Sequence, residues 1–415
     1  MTVIIAGAGI GGLTLALSLH QIGIPVAVYE TVSEIRPLGV GINLLPHAVR
    51  ELCELGLEDK LAEIAIPTQA LAYYSRHGAP IWQEPRGRQA GYRWPQFSIH
   101  RGALQMLLLE TVQARLGAAA VQFGHHLAAF HDSDAGVSVA FVGRDAVQGS
   151  VLVGADGIHS AVRARLMPNE GPPIWNGAIL WRGVTEAAPF LGGQTMIMAG
   201  HEFQKFVAYP ISRAAHDRGR SVINWIAELK FAPDHAWRRE DWNRPGQLGD
   251  FLPQFADWRF DWLDVPAVIN AANYVYEFPM VDRDPLPVWT QGRTTLLGDA
   301  AHPMYPIGSN GASQAILDAR ALARELRAKG QTEAALLAYE AERRPATSRI
   351  VLANRANGPE QVMQMVQERA PDGYEQITDV LSAAELEGAA AGYKRLAGFD
   401  KDALNNRPSL IDAPA

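Results

Sequence analysis

The stretch "VIIAGAGIGGLTLALSLHQIGIPVAVYE", Val3 to Glu30, limits what this chain can fold into more than any other part of it. Val3, Ile4 and Ile5 form a short β-branched run. Gly7, Gly9 and Gly12 follow at G-x-G-x-x-G spacing, and Leu13, Leu15, Ala16, Leu17 and Leu19 continue in an apolar helical pattern. A second apolar stretch, Pro25 to Tyr29, ends at Glu30, which lies 30 − 12 = 18 residues beyond the last glycine. This order predicts a βαβ unit of Rossmann type. The first glycine permits the tight turn, the second lets the backbone approach a pyrophosphate, and the third lets helix and strand pack closely. A diphosphate then rests on the free N–H groups and positive dipole end of the helix. Glu30 can accept hydrogen bonds from a ribose hydroxyl and argues against a 2′-phosphate, so FAD or NAD fits better than NADP. Glycines alone would mark only turns; the strand, helix and acid in register give them the nucleotide reading. A secretion signal would need a basic segment before its apolar run, and a membrane span about 20 apolar residues with few breaks. The stretch meets neither condition.

The composition fits a globular enzyme: 415 residues with 48% hydrophobic content can bury a large core and divide into two or three domains. A net charge of −7 without a basic block or stacking-aromatic pattern gives nucleic acid no footing. Cys53 is the single cysteine, which excludes an intrachain disulfide framework or multi-cysteine metal site and suits a reducing cytoplasm. It is read as a small core residue on a helix. No metal-ligand cluster stands out.

Two further stretches repeat the order of strand, turn and helix. "VLVGADGIHSAVRARL" carries a D-G turn at Asp156-Gly157; Ser160 can cap the next helix, and Arg163 and Arg165 read as a solvated helix face. "GRTTLLGDAAHPMYPIGSNGASQAILDARALARELR" begins at Gly292 with a strand, reaches Gly298-Asp299, crosses a Pro/Gly-rich loop and enters a long helix near Ala312. Each acid alone could be a simple turn former; both together, downstream of a Rossmann start, are harder to explain so.

With these three motifs the chain resembles the class A flavoprotein monooxygenases, the family with the para-hydroxybenzoate hydroxylase fold, from residue 1 to about 355. The resemblance implies FAD as cofactor, with Glu30 on the adenosine ribose and Arg101 at the FAD ribose or diphosphate region. It implies that Asp156 supports the cofactor site and the nicotinamide nucleotide, that Asp299 holds the ribityl chain, and that Gly311 and Ala312 present backbone N–H groups near the flavin ring. Gly7, Gly9, Gly12, Gly41, Gly298 and Pro306 complete the implied cofactor set. The phrases "SEIRPLGVGINLLPHAV", "YPIGSNGASQAILD" and "ATSRIVLANR" look most like the branch of phenazine, salicylate, urate and pyridine-acid hydroxylases. One departure is the loop after Pro306: many members carry G-x-G there, whereas Gly308 is followed by Ser309, Asn310 and Gly311. A somewhat different backbone path along the flavin is expected.

The family's chemistry implies reduction of FAD by NADH or NADPH, addition of O₂ at flavin C4a, and transfer of one oxygen atom from the hydroperoxide to an aromatic ring. The protein must place the ring and exclude water. From about Ile174 to Tyr276 strand-like runs dominate, and "SVINWIAEL" alternates Ile223, Trp225, Ala227 and Leu229 against Val222, Asn224, Ile226 and Glu228. This predicts a mostly antiparallel sheet that walls off one side of the flavin, with a hairpin from Ala72 to Gly87 added to it. Tyr209, Trp181, Trp225, Tyr305 and Met304 are candidate pocket-lining residues, with ordinary packing as the plainer reading of each. Arg182 and His47 could meet a substrate carboxylate; a strand-surface charge and a helix-start residue are the alternatives.

The expected fold is therefore α/β in class, a two-domain α+β arrangement. An FAD-binding domain comprises residues 1–71, 98–172 and 285–355, a substrate domain the 72–97 hairpin and residues 173–284, and a C-terminal helical segment residues 356–415. The expected partners are a small aromatic substrate, O₂ and NAD(P)H, with no nucleic acid, membrane or metal, in a cytoplasmic monomer or homodimer. "WRGVTE", "VAYPIS" and "PMVDRDPLP" look like the phenazine enzymes of that branch, and this resemblance implies a bicyclic or tricyclic aromatic acid such as a phenazine carboxylate, hydroxylated with or without loss of its carboxylate; a benzoate or salicylate, or a non-acid such as a phenol, quinolone or urate-like ring, is the second reading. A nucleotide-binding carrier would not need both acidic turns. A flavin halogenase would carry W-x-W-x-I-P, which is missing, and a plain dehydrogenase would need a separate nicotinamide domain.

Overall fold

The computed structural model describes residues 1–37, 39–232, 235 and 244–411. The β-branched run becomes the strand Val3–Ala6, buried throughout, as a parallel strand covered on both faces requires. It pairs in parallel with Val26–Tyr29 on one side and Leu152–Gly154 on the other. Thr294–Leu296 and Val121–Gln122 complete a five-stranded parallel sheet. The glycine turn, Asp156 and Asp299 thus follow the carboxyl ends of three neighbouring strands, the edge of an open α/β sheet at which ligands bind.

The helices Ile10–Gln21 and Gly311–Lys329 lie against each other beside this edge, and Gly11 makes the approach possible. A Cβ there would lie 2.6 Å from Leu297 Cδ2 and 3.3 Å from Ala315 Cβ.

A seven-stranded sheet forms the second layer, in the order Val275–Asp282, Ile174–Ala187, Ser221–Lys230, Gln204–Pro210, Thr195–His201, Ala70–Tyr74 and Pro80–Pro85. Every pairing is antiparallel except that of Thr195–His201 with Ala70–Tyr74. The expected hairpin is present and opens two residues earlier, at Ala70. Period two holds along Ser221–Lys230. Ile223, Trp225, Ala227 and Leu229 enter one apolar cluster with Phe251 and Phe255, while Val222 and Ile226 enter another. The middle segment is less purely strand than its sequence suggested. Short helices at Leu248–Phe251, Leu252–Phe255 and Val265–Asn270 cover the face that carries Trp225, and residues 233–234 and 236–243 lie outside the described residues.

The C-terminal segment is helical at Gln361–Arg369, Ala383–Leu396 and Lys401–Asn406 and returns to the loop after Pro306; residues 412–415 lie outside the described residues. Among the described residues no helix is long and apolar enough to cross a membrane.

Candidate active site

The glycine turn is built as a cradle. Gly7 has φ +105°, and a Cβ on it would lie 2.5 Å from the Ala155 carbonyl oxygen. A Cβ on Gly12 would overlap the Gly7 carbonyl, whereas one on Gly9 would meet no atom within 4 Å. Gly7 and Gly12 are therefore fixed by packing and Gly9 by open space. Gly9 also caps the first helix without a side-chain bond, which leaves N–H groups for an anion. The Glu30 carboxylate stands at the lip of this turn, accepting the Ala8 N–H at 2.7 Å and the Val32 N–H at 3.0 Å. Arg101 opens the helix Arg101–Leu116, and Gln105 Nε2 donates to the Ala8 carbonyl at 2.9 Å.

The two acidic turns are tied together by a residue that the sequence reading placed on a solvated face. Arg163 is 1% exposed. It donates to the carbonyls of Ala300 at 3.0 Å and Ala301 at 2.9 Å and pairs with Glu170 at 2.5 Å. A buried guanidinium is stable only when so satisfied, and with the Asp284 carbonyl at 3.4 Å four partners meet it. Arg165 is exposed, as expected. Ser160 caps its helix by accepting the Arg163 N–H at 2.8 Å. Asp156 accepts from Ser160 Oγ at 2.5 Å, Ala161 N–H at 2.7 Å and Val162 N–H at 3.2 Å, so its carboxylate organises this helix start.

Asp299 lines the cleft and is exposed to it. Burial raises its pKa, and His302 and Arg101 oppose that. A Cβ on Gly311 would lie 3.9 Å from Asp299 Oδ1, so acid and helix start face one space. Behind them Asp318 accepts the Gly298 N–H at 3.1 Å, bonds His302 Nε2 at 2.5 Å and pairs with Arg343 at 2.7 Å. Burial alone would raise the Asp318 pKa; His302 and Arg343 reverse this and hold it at about 2.

Between this edge and the seven-stranded sheet lies a cavity of about 180 Å³. Gly41, Asp299, Met304, Pro306, Gly311 and Ala312 line it from one side, and Arg182 and Tyr209 from the sheet. Tyr209 Oη and an Arg182 amino group both donate to the Gly41 carbonyl at 2.8 Å, while Asn224 Oδ1 accepts the Gly41 N–H at 2.6 Å. Arg182 Nε is buried with no hydrogen-bond partner. Burial lowers the Arg182 pKa, opposed by Tyr209, and raises that of Tyr209 to about 12, so the phenol stays a donor.

Four candidates lie elsewhere. Trp181 and Trp225 belong to the opposite face: Trp181 is paired with Ala227, and directly opposed residues share a face. There both rings pack on Phe251, with centroids 4.9 and 6.2 Å away. Tyr305 is buried below the cavity, and its carbonyl accepts from Asn354 Nδ2 at 3.1 Å. His47 is buried in the helix Pro46–Glu54, where Gln314 Nε2 donates to its Nε2 at 3.3 Å and Phe399 stacks on it. Cys53 is half-buried on the same helix.

Other residues around the cavity leave little trace in the sequence. Asn224 and Glu228 occupied the polar positions of an alternating strand, a signal that was available. Lys205 and Glu360, which complete the cavity wall, had none. Neither did Tyr393, which fills the space beside Gly308 and accepts from Asn310 Nδ2 at 2.9 Å. The loop departs from G-x-G by holding Gly308 and Ser309 both in the left-handed region, at φ 68° and 57°.

A nucleotide cradle on a parallel sheet, faced across a cavity by an antiparallel sheet, defines a two-layer flavoenzyme. The pattern of the FAD binding domain family matches residues 1–180 and 282–354. A phenazine 1,6-dicarboxylic acid hydroxylase of Lysobacter antibioticus is 49% identical over 85% of this chain and 89% of that one. A 3-amino-4-hydroxybenzoate 2-monooxygenase of Streptomyces platensis is 32% identical over 94% and 96%. In fold the chain is similar to a salicylate hydroxylase in a substrate complex (TM-score 0.74, 22% identity, coverage 100% and 98%). It is also similar to Klebsiella pneumoniae HpxO complexed with FAD and uric acid (TM-score 0.72, 24% identity, coverage 98% and 95%). The chain belongs to the FAD-binding family of class A flavoprotein monooxygenases. It is an FAD-dependent monooxygenase.

Proposed function

We propose that this enzyme hydroxylates an aromatic or heteroaromatic acid, held in the cavity with its carboxylate on Arg182. The observation that carries the reading is the Arg182 guanidinium, sunk into the cavity wall with its Nε unpartnered. A desolvated cation with a free donor favours an anion, and a planar guanidinium suits a carboxylate. Gly41 and Tyr209 hold it in place. Leu180, Met196, Met198, Val207, Ile226 and Met280 supply apolar walls for a flat ring.

The cofactor roles follow the same geometry. Gly7, Gly9, Gly12, Glu30 and Arg101 would take the nucleotide end of FAD, and Asp299, Gly298, Pro306, Gly311 and Ala312 the flavin end. Bound FAD would supply electron transfer from a nicotinamide nucleotide and activation of O₂. The balance is one aromatic C–H, O₂, NAD(P)H and a proton giving one phenolic C–OH, water and NAD(P)⁺. The chain's own part is to anchor the acid, orient the ring, and keep water out. Residues 1–71, 98–172 and 285–355 would act as the cofactor unit, with 72–97 and 173–284 as the substrate unit and 356–415 as a helical cover. The sequence similarity to the Lysobacter enzyme favours a phenazine-like acid over a salicylate-like one.

NAD(P)H oxidation by the FAD-loaded protein, measured against phenazine carboxylates, salicylate, phenols and quinolones, tests this. Stimulation by acids, lost on Arg182→Met through a raised KM, is expected. Stimulation only by neutral rings would overturn the anchor.

A further inference from the structure

Two cations face the cavity from the sheet, and they are wired differently. Arg182 keeps a free donor. Lys205, on the strand Gln204–Pro210, pairs across the sheet with Glu228. Its Nζ lies 3.2 Å from Glu228 Oε1 and 2.5 Å from Glu360 Oε2, and all three side chains are 7–8% exposed. All three line the cavity. In the register, Arg182 stands opposite Ile226 and Ile226 opposite Val207, two residues from Lys205. The two cations are therefore two strands and two residues apart on one face, about 12 Å between Cα atoms at ~4.8 Å per strand and ~3.3 Å per residue. Both side chains line the same cavity, so one flat ring system bound there can lie between them.

We infer that the Lys205–Glu228–Glu360 triad reads the end of the substrate remote from Arg182, accepting a neutral hydrogen-bond acceptor there and rejecting a second carboxylate. The inference rests on the aromatic-acid reading above. An ammonium has three donors, and two are committed to carboxyl oxygens. One remains for a ring nitrogen, carbonyl or hydroxyl. The wall has no unmatched positive charge to receive an anion, and a second carboxylate would be desolvated beside Glu228 and Glu360 without a counter-ion. Burial would lower the Lys205 pKa, but Glu228 and Glu360 more than reverse this, so the ammonium persists. A filter of this kind separates monoacids from diacids, the class of acid that the name of the Lysobacter relative gives.

The test compares phenazine-1-carboxylate with phenazine-1,6-dicarboxylate, and salicylate with its 5-carboxy analogue, on the FAD-loaded enzyme. Both kcat/KM for hydroxylated product and the flavin absorbance change on binding are recorded. The wild type should favour the monoacid by at least tenfold. Glu360→Gln should shift the ratio tenfold or more toward the diacid, mainly through KM. If that variant does not fold, Glu228→Gln carries the same expectation. A triad acting only as a structural tie would change both members of a pair alike, and that result overturns the filter. So does a wild type that uses monoacid and diacid equally. A wild type that responds to neutral rings but to no acid contradicts the aromatic-acid reading itself, and the filter with it.

Discussion

Asn224 Oδ1 accepts the Gly41 N–H at 2.6 Å across 183 residues of sequence, joining the seven-stranded sheet to the strand Gly41–Leu44 at the point where Arg182 and Tyr209 share the Gly41 carbonyl. The fit is tight: a Cβ on Gly41 would lie 2.7 Å from Asn224 Cβ and 2.8 Å from Ile211 Cγ2.

Asn224→Ala should leave the Gly41 N–H buried and unpaired, costing about 1–3 kcal/mol. Gly41→Ala should displace Arg182 and raise KM for an acid substrate. Thermal melts and steady-state kinetics read the two effects; an unchanged melting temperature in the first variant would mean that the contact is not formed.

Removing the Asp299 carboxylate should weaken FAD retention by about 1.5–3 kcal/mol, the worth of a charge-assisted hydrogen bond. Asp299→Ala protein, titrated with FAD by fluorescence quenching, should show a Kd raised at least tenfold. Wild-type affinity would remove Asp299 from the cofactor site.

Glu30→Ala should also lower FAD affinity, and for two reasons. It deletes the expected ribose contact, and it frees the Ala8 N–H that the carboxylate now holds. The fold should survive, since the strand that ends beside Glu30 is paired on both sides. Normal FAD binding would make the acid a turn residue only.

Acid should destabilise the protein well above the carboxylate range. Burial lowers the His47 pKa to about 3, with Arg407 and Arg343 adding to the effect. The unfolded chain, with its histidine near 6.5, then binds more protons than the folded one. Stability is complete above about 6.5 and is lost as pH falls toward 3, at up to ~1.4 kcal/mol per pH unit from this group. Stability measured from pH 7 to 5 should fall less steeply in His47→Asn than in the wild type; parallel slopes would refute the assignment.

The parts of this fold legible in the sequence are those in which chemistry depends on local spacing. Gly7, Gly9 and Gly12 report a turn, and Glu30 a strand end, because a βαβ unit is contiguous. Period two along Ser221–Lys230 separated Trp225 from Asn224 and Glu228, but alternation does not say which face meets the cofactor. The face of Ile226 and Glu228 lines the cavity, and Trp181 and Trp225 belong to the other. Arg163 and Lys205 are opaque for a different reason: the Ala300 carbonyl that Arg163 meets and the Glu360 carboxylate that Lys205 pairs with lie 137 and 155 residues away, and such contacts leave no periodic trace.

The most direct test of the central claim is incorporation of ¹⁸O₂ during NAD(P)H oxidation with an aromatic acid that stimulates it. One labelled oxygen atom per product molecule, with label in the released water and little hydrogen peroxide, is the expected result. Stoichiometric hydrogen peroxide without hydroxylated product, across the whole panel of aromatic acids, would contradict it.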